Sequence, residues 1–183
     1  MMTPRTYSDE GIVLTRRHYA EADRILSVYS KNHGRLSLIA KGVRRPTSKK
    51  RGHIEVFNQI KFQAVRGRGL DLMTEAEIIE NFAEIRKSLK KVALAYYFME
   101  VVGRTTHEGE KHHPELYENI LENLRRLRTA KELKKLRKQF VYESLTILGF
   151  WPKGKILLDP DAKLAEVTER NLSSVRVGKR LLK

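Results

Sequence analysis

The sequence predicts an α+β protein in which a small closed barrel of five antiparallel strands precedes an α-helical domain. Three observations carry that expectation. Apolar residues recur at every second position from Gly11 to Ile79, they recur every third or fourth from Phe82 onward, and the interruptions in the first half fall on glycine-bearing turn text. The change of period places the boundary near residue 80, giving a barrel domain over 1–80 and a helical domain over 81–183. With 183 residues, 40% of them hydrophobic, there is enough apolar material to fill a core in each.

The strand candidates run from Gly11 to Arg17, Arg24 to Ser30, Arg35 to Lys41, Ile54 to Val65 and Leu70 to Ile79. In the third, Leu36, Leu38 and Ala40 point inward while Arg35, Ser37, Ile39 and Lys41 point out. In the fourth, Ile54, Val56, Ile60 and Phe62 take one side and Glu55, Phe57, Gln59, Lys61 and Gln63 the other. Asn32-His33-Gly34 suits a tight hairpin, and Arg66-Gly67-Arg68-Gly69 supplies two residues tolerant of positive φ between the last two strands. Five short strands within about 70 residues fit a barrel of OB type or an SH3-like barrel, which strand count does not separate.

Beyond the boundary, Phe82, Ile85, Leu89, Val92, Tyr96 and Met99 form one helical stripe ending at Gly103, expected to pack as core. Leu116, Ile120, Leu124 and Leu127 form a second behind Pro114, a good first-turn residue. Leu133, Leu136, Phe140 and Leu148 form a third that stops at Gly149. Pro152-Lys-Gly-Lys155 reads as a break, and Asp161 to Lys183 as a last short helix with a basic end.

Charge narrows the function. Lys and Arg number 37 against 22 Asp and Glu, a formal net charge of +15, so an anionic partner is expected. Between Lys31 and Arg68 stand Lys31, Arg35, Lys41, Arg44, Arg45, Lys49, Lys50, Arg51, Lys61, Arg66 and Arg68, with Glu55 the single acid. Arg44, Arg45, Lys49, Lys50 and Arg51 lie in a Pro- and Gly-containing segment, Val43 to His53, expected to be a mobile basic loop beside a basic sheet face. A solvated surface is the ordinary meaning of a charge run. The scarcity of compensating acids here favours a groove that follows a phosphate backbone. Tyr19, Tyr29 and Phe57 are candidates to stack bases, against the ordinary alternative of core or rim packing. A second concentration holds Lys131, Lys134, Lys135 and Lys138, which at 100° per residue share a helical face opposite Leu133, Leu136 and Phe140. It suits DNA or an acidic protein tail.

Other classes fall away. The chain has no cysteine, which excludes disulfides, thiolate nucleophiles and cysteine zinc sites. The opening MMTPRTYSDEG lacks the apolar run of a signal peptide and no eighteen apolar residues stand together, so a cytoplasmic, nucleoid-associated protein with no membrane partner is expected. His107 and His112 or His113 are five or six apart rather than four, with Gly109 between, which defeats a zinc-hydrolase helix. Gly67-Arg68-Gly69 lacks the third glycine of a dinucleotide loop, where Leu72 stands. Glu21 and Asp23 read as turn and capping groups; a nuclease built on them and the histidines is the catalytic alternative. Neither a nucleophile elbow nor a Walker loop is present, and no enzyme and no cofactor is expected.

Gly11-Ile-Val-Leu14, Tyr19-Ala-Glu-Ala-Asp-Arg-Ile-Leu26, Gly34-Arg-Leu-Ser37, Ala40-Lys-Gly-Val-Arg44 and Arg66-Gly-Arg-Gly-Leu-Asp-Leu72 with Glu75-Ala-Glu77 closely resemble, in order and spacing, the bacterial recombination mediators of the RecO family. Leu148-Gly-Phe-Trp-Pro152 extends the resemblance to about residues 8–152. The resemblance implies an amino-terminal OB-fold, binding of single- and double-stranded DNA, annealing of complementary strands, and help in loading the RecA recombinase onto strands coated by single-strand-binding protein, together with RecR. It implies DNA contacts at Arg35, Lys41, Arg44 and the adjoining cations, and a role for the helical domain in holding the acidic tail of single-strand-binding protein, which the Lys131 to Lys138 face suits. Many relatives carry a cysteine-ligated zinc lobe after the Leu-Gly-Phe-x-Pro text; Lys153 to Pro160 has none of its ligands, so no metal is expected. A structured-RNA or ribosome-associated basic protein is the alternative function.

Overall fold

The computed structural model describes residues 5–168. It contains β1 (Thr6–Tyr19), β2 (Asp23–Ser30), β3 (Gly34–Ala40), β4 (Gln59–Val65) and β5 (Asp71–Glu80), followed by α1 (Ala83–Arg86), α2 (Leu89–Thr105), α3 (Pro114–Thr129), α4 (Leu133–Ile147) and α5 (Pro160–Thr168). The strands close in the order β1-β2-β3-β5-β4 and back to β1. All neighbours are antiparallel except β3 and β5, which pair in parallel at Leu38↔Asp71 and Ile39↔Leu72. The odd strand count requires this, because alternating directions cannot close on themselves around five strands. The order identifies the barrel as OB-type and resolves the choice that strand count left open.

Strand β1 pairs with β4 through Thr6–Ile12 and with β2 through Gly11–Tyr19, so one strand serves two walls. A straight 14-residue strand would reach about 46 Å, too long for a small barrel, and the irregularity between Val13 and Thr15 bends it. At the overlap stands Gly11, where a Cβ would lie 2.3 Å from Val28 Cγ1 and 3.2 Å from Phe62 Cε1. The barrel is filled by Val13, Leu26, Val28, Leu38, Ala40, Val43, Ile54, Ile60, Phe62, Ala64, Met73 and Ala76, with Leu36 and Tyr7 packed against them. The hairpin between β2 and β3 is shaped from inside. The buried Asp9 carboxylate accepts bonds from Asn32 Nδ2 at 2.7 Å and the Asn32 N–H at 3.3 Å, and meets His33 Nδ1 at 2.7 Å, while Gly34 takes φ +69°.

The fourth strand starts at Gln59, five residues later than the alternation predicts. Ile54, Val56 and Phe57 are all buried, which a two-residue period cannot achieve, and Phe57 takes φ +59° to turn its ring inward. Its N–H donates to the Val13 carbonyl at 2.8 Å, and the Val13 N–H donates to the Asn58 carbonyl at 3.1 Å, which seats the turn against the irregular part of β1.

Two compact units emerge: the barrel residues up to Asn81 with Glu108–His112, and Phe82–His107 with the residues from His113 onward. The segment Glu108–His112 belongs with the barrel because Ser37 Oγ donates to the Glu108 carboxylate and His112 lies against Gly34 and the Tyr29 ring. No single boundary in the sequence provides for that return.

In the helical unit, the expected Phe82–Met99 stripe is broken. Phe82 sits at φ +52° and Ser88 is extended, so α2 restarts in a new phase after the four-residue α1. Leu89 is 67% exposed and Tyr96 43%, while Leu94, Ala95, Tyr97, Phe98, Met99, Val101 and Val102 are buried. The second stripe holds and the third holds in part, with Leu133 and Leu148 only half-buried. Pro114 opens α3, which buries Leu116, Ile120, Leu124 and Leu127. On α4, Leu136 and Phe140 are buried, and Phe140 packs on Phe98 with ring centroids 4.0 Å apart. Gly149 ends the turn at φ +80° as the Phe150 N–H donates back to the Leu145 carbonyl at 2.8 Å. Helix α5 is anchored by Asp161, which receives both Arg137 Nη atoms at 2.9 and 3.0 Å. The remainder of the last expected helix, residues 169–183, lies outside the described residues.

Candidate nucleic-acid interface

Two connections meet at one end of the barrel. Arg24↔Ala40 puts the start of β2 beside the end of β3, whereas the parallel pairing Leu38↔Asp71 sends the β4–β5 turn back toward the β2–β3 hairpin. The β1–β2 turn and the long β3–β4 segment therefore share that end.

The β3–β4 segment is folded as successive turns, with Arg45 N–H to Gly42 O, Ser48 N–H to Arg45 O, Arg51 N–H to Ser48 O and His53 N–H to Lys50 O. It is also tied on both flanks, which corrects the expectation of a mobile loop. Toward the β1–β2 turn, the Gly42 N–H donates to Asp23 Oδ1 at 2.7 Å, the Arg44 N–H to the Ala22 carbonyl at 2.9 Å, and Arg44 Nη1 to the Glu21 carbonyl at 2.9 Å. Toward β5, Lys50 Nζ donates to the Met73 and Thr74 carbonyls at 3.3 and 3.2 Å, and His53 Nδ1 donates to the Ala76 carbonyl at 2.6 Å. Val43 and Ile54 drop into the core at either end of the segment. Lys41, Arg44, Arg45, Lys49 and Arg51 are left exposed on its outer side, and Lys50 is half-buried.

Beneath that segment lie two arginines outside the charge-rich window of the sequence. Directly opposed residues of an antiparallel pair share a face. Arg16 opposes the core residue Leu26, and Arg24, two positions before Leu26, opposes the core residue Ala40, so both side chains leave β1 and β2 on the interior face at the barrel's end. Arg16 forms an ion pair with Glu55. Arg24 Nη1 is shut off from solvent and has no acceptor. The Arg24 guanidinium titrates below its ordinary value, first because of burial and then because of Arg16, with Arg44 and Arg51 adding to the effect and Glu55 opposing it. Three arginines and one carboxylate thus act on the Arg24 guanidinium. The signal in the sequence was parity: the bulge in β1 decides which of Arg16 and Arg17 faces in, and a bulge is not legible from alternation alone.

The other expected contacts divide. Arg66 and Arg68 sit in the exposed β4–β5 turn toward the opposite end, Arg66 with its guanidinium 5.4 Å from the centroid of the Tyr7 ring, which itself lies 5.2 Å from the His33 ring of the β2–β3 hairpin. Arg35 is half-buried on the outer wall of β3, with Nε donating to Ser27 Oγ at 3.2 Å. Lys61 is in mid-strand with Glu10 and Glu77 opposite it on either side, and Lys31 pairs with Glu10 at 3.4 Å. Of the aromatic candidates, Tyr29 and Phe57 are buried at 2% and 0% exposure and cannot stack bases; Tyr19 is exposed. Asp23 caps the Gly42 N–H, a turn role.

On the helical unit Lys134, Lys135 and Lys138 are exposed on α4, but Lys131 precedes it, because the helix begins at Leu133 behind Glu132. Lys135 pairs with Glu132 at 3.6 Å. Lys135, Lys138 and Tyr142 face Lys155, Ile156 and Pro160 across a groove of about 410 Å³. The chain has no cysteine, and among the described residues no three His, Asp or Glu side chains converge as metal ligands. Also among the described residues, no helix is long and apolar enough to cross a membrane.

The family described as "Recombination protein O N terminal" matches residues 2–82, the barrel. The chain is 35% identical over 148 residues to the DNA repair protein RecO of Pelotomaculum thermopropionicum, covering 81% of this chain and 57% of that protein. It is 36% identical over 149 residues to the DNA repair protein RecO of Desulforudis audaxviator, covering 81% and 59%. To the DNA repair protein RecO of Dehalococcoides mccartyi it is 29% identical over 168 residues, covering 92% and 66%. The chain thus spans about three-fifths of the length of these relatives. With its barrel matched over residues 2–82 and its helices carried along in the alignments to these relatives, the chain is similar to the RecO family.

Proposed function

We propose that this chain is a DNA-binding recombination mediator that takes up strands on the cationic end of its barrel and promotes their pairing in recombinational repair. The observation that carries the reading is the concentration of Lys41, Arg44, Arg45, Lys49 and Arg51, all exposed, on the β3–β4 segment where it meets the β1–β2 turn at one barrel end. Each DNA strand carries dense like charge, and a cation surface that displaces counterions lets two strands approach closely enough to pair. No bond is made or broken, so the chain acts without catalysis. The named function of the relatives, DNA repair, supports this reading.

Mediation adds protein partners. In this reading RecR acts with the chain, RecA is loaded indirectly onto the strand, and the groove beside Lys135, Lys138 and Lys155, with Tyr142, Ile156 and Pro160 for apolar contact, holds the acidic tail of single-strand-binding protein. The deciding experiment is the affinity for a labelled oligonucleotide across a salt series. Six to eight phosphate contacts predict a slope of log affinity on log salt of roughly −4 to −7, by strand form. A flat response overturns the reading, and an equal or greater preference for RNA of matched sequence turns it into a structured-RNA binder. Annealing of complementary strands coated with single-strand-binding protein then tests the mediator role.

A further inference from the structure

Glu55 is the single acid between Lys31 and Arg68, and its carboxylate pairs with Arg16 and acts on the Arg24 guanidinium. Its neighbours in the chain, Ile54 and Val56, are buried, so the backbone is held while the side chain reaches Arg16. The pair is open to solvent, with side-chain exposures of 27% for Arg16 and 35% for Glu55. One carboxylate does not saturate what surrounds it. Arg24 Nη1 has no acceptor, and Arg44 and Arg51 act on the same guanidinium from the segment above. The other nearby acid, Asp23, is engaged by the Gly42 N–H. A guanidinium fork accepts a carboxylate and a phosphate with the same planar geometry, so the two anions compete for one place.

We propose that Glu55 is an internal stand-in for a phosphate: its carboxylate occupies a seat formed by Arg16 and Arg24 that a phosphodiester of a bound strand takes over, Glu55 swinging out by side-chain rotation alone. The inference rests on the DNA-binding reading above and names the position at which the strand is gripped. It also gives the carboxylate a purpose, since a full strand repays the displacement through its many phosphates while a lone small anion does so poorly.

The test compares two substitutions that change net charge equally. Glu55→Gln empties the seat and is expected to tighten binding of a single-stranded oligonucleotide about fivefold and to steepen the salt slope by about 0.7, one further phosphate neutralised. Glu10→Gln, which removes the acid paired with Lys31 on the barrel wall, is expected to change affinity less than about twofold. Arg24→Gln is expected to weaken binding about tenfold and flatten the slope by about 0.7. Equal tightening by Glu55→Gln and Glu10→Gln would reduce the effect to net charge and overturn the proposal, as would no change with a folded Glu55→Gln. Thermal melting checks folding; if Glu55→Gln does not fold, Glu55→Asp, which withdraws the carboxylate by one methylene, is expected to tighten binding about twofold, and no tightening overturns the seat. Stabilisation by inorganic phosphate at constant ionic strength separates the two sources of the anion. If phosphate stabilises Glu55→Gln while the unsubstituted chain fails to bind any oligonucleotide, the assignment to a DNA strand falls together with the reading beneath it. If the unsubstituted chain shows a steep salt slope that Arg24→Gln leaves unaltered, the seat alone falls.

Discussion

The two sides of the barrel carry similar residue types and treat them oppositely. On the wall made by β1, β4 and β5, Lys61 has Glu10 and Glu77 as its cross-strand neighbours and Glu10 also holds Lys31, so each cation meets an acid supplied by a different strand. At the end where the β1–β2 turn meets the β3–β4 segment, Arg16 takes the single carboxylate of Glu55, and Arg24 beside it keeps an Nη1 with no acceptor while Arg44 and Arg51 add like charge. A count along the chain treats Lys61 and Arg51 alike. Pairing distinguishes them, and pairing is a matter of strand register: an acid sixteen residues away in sequence, Glu77, lies directly across from Lys61 because the β4–β5 hairpin brings it there.

The contrast breaks most visibly in affinity. Replacing Arg44, Arg45, Lys49 and Arg51 together by Ala is expected to cost at least about 100-fold in oligonucleotide binding and to flatten the salt slope by about 3, whereas Lys31→Ala with Lys61→Ala costs less than about threefold. An equal loss from both sets, measured by fluorescence anisotropy, would abolish the distinction between end and wall. Next in size is a packing effect that both regions share. Gly11→Ala places a Cβ 2.3 Å from Val28 Cγ1 and is expected to destabilise the barrel by about 1–3 kcal/mol in denaturant titration.

A finer comparison lies within the segment. Lys50 and its neighbour Lys49 carry the same charge, but only Lys50 is bonded to the Met73 and Thr74 carbonyls. Lys50→Ala is expected to lower stability by about 1 kcal/mol and Lys49→Ala to leave it unchanged. Equal melting temperatures for the two would mean that the tie to β5 contributes nothing. The smallest effect concerns Tyr7, whose hydroxyl donates to Asp71 Oδ2 at 2.7 Å beneath Arg66. Its pKa is raised above the ordinary tyrosine value, chiefly by burial and then by Asp71. The unfolded chain therefore loses this proton first, so the associated stability is complete below about pH 10 and declines as pH rises beyond it. Tyr97, raised by burial and by Asp161, acts with the same sign in the helical unit. Tyr7→Phe is expected to make the alkaline loss of stability shallower, and an unchanged profile in melts between pH 9 and pH 11 would remove Tyr7 from the account.

Much of this architecture was readable from residue order. Leu38 and Ala40 alternate inward as their spacing demands, Pro114 opens α3, and Gly149 ends the turn after α4 in the left-handed conformation open to glycine. These features depend on neighbours three or four positions away. The misreadings have a common form. Alternation carried through a turn puts Phe57 on a solvent face, one helical phase carried through Ser88 puts Leu89 and Tyr96 in the core, and Arg24 stands outside the basic window. In each, a local break in backbone geometry reset the direction of every side chain after it.

Period and composition were sufficient to place strands before helices, to demand an anionic partner and to remove cysteine chemistry, because backbone geometry repeats over short distances and charge sums without regard to position. Which cations are spent on acids or carbonyls, that β3 meets β5 in parallel, and that Glu55 reaches Arg16 beside Arg24 were decided only when distant segments came into contact. Electrostatic interaction depends on separation in space, and separation along a chain is a poor measure of that once the barrel has closed.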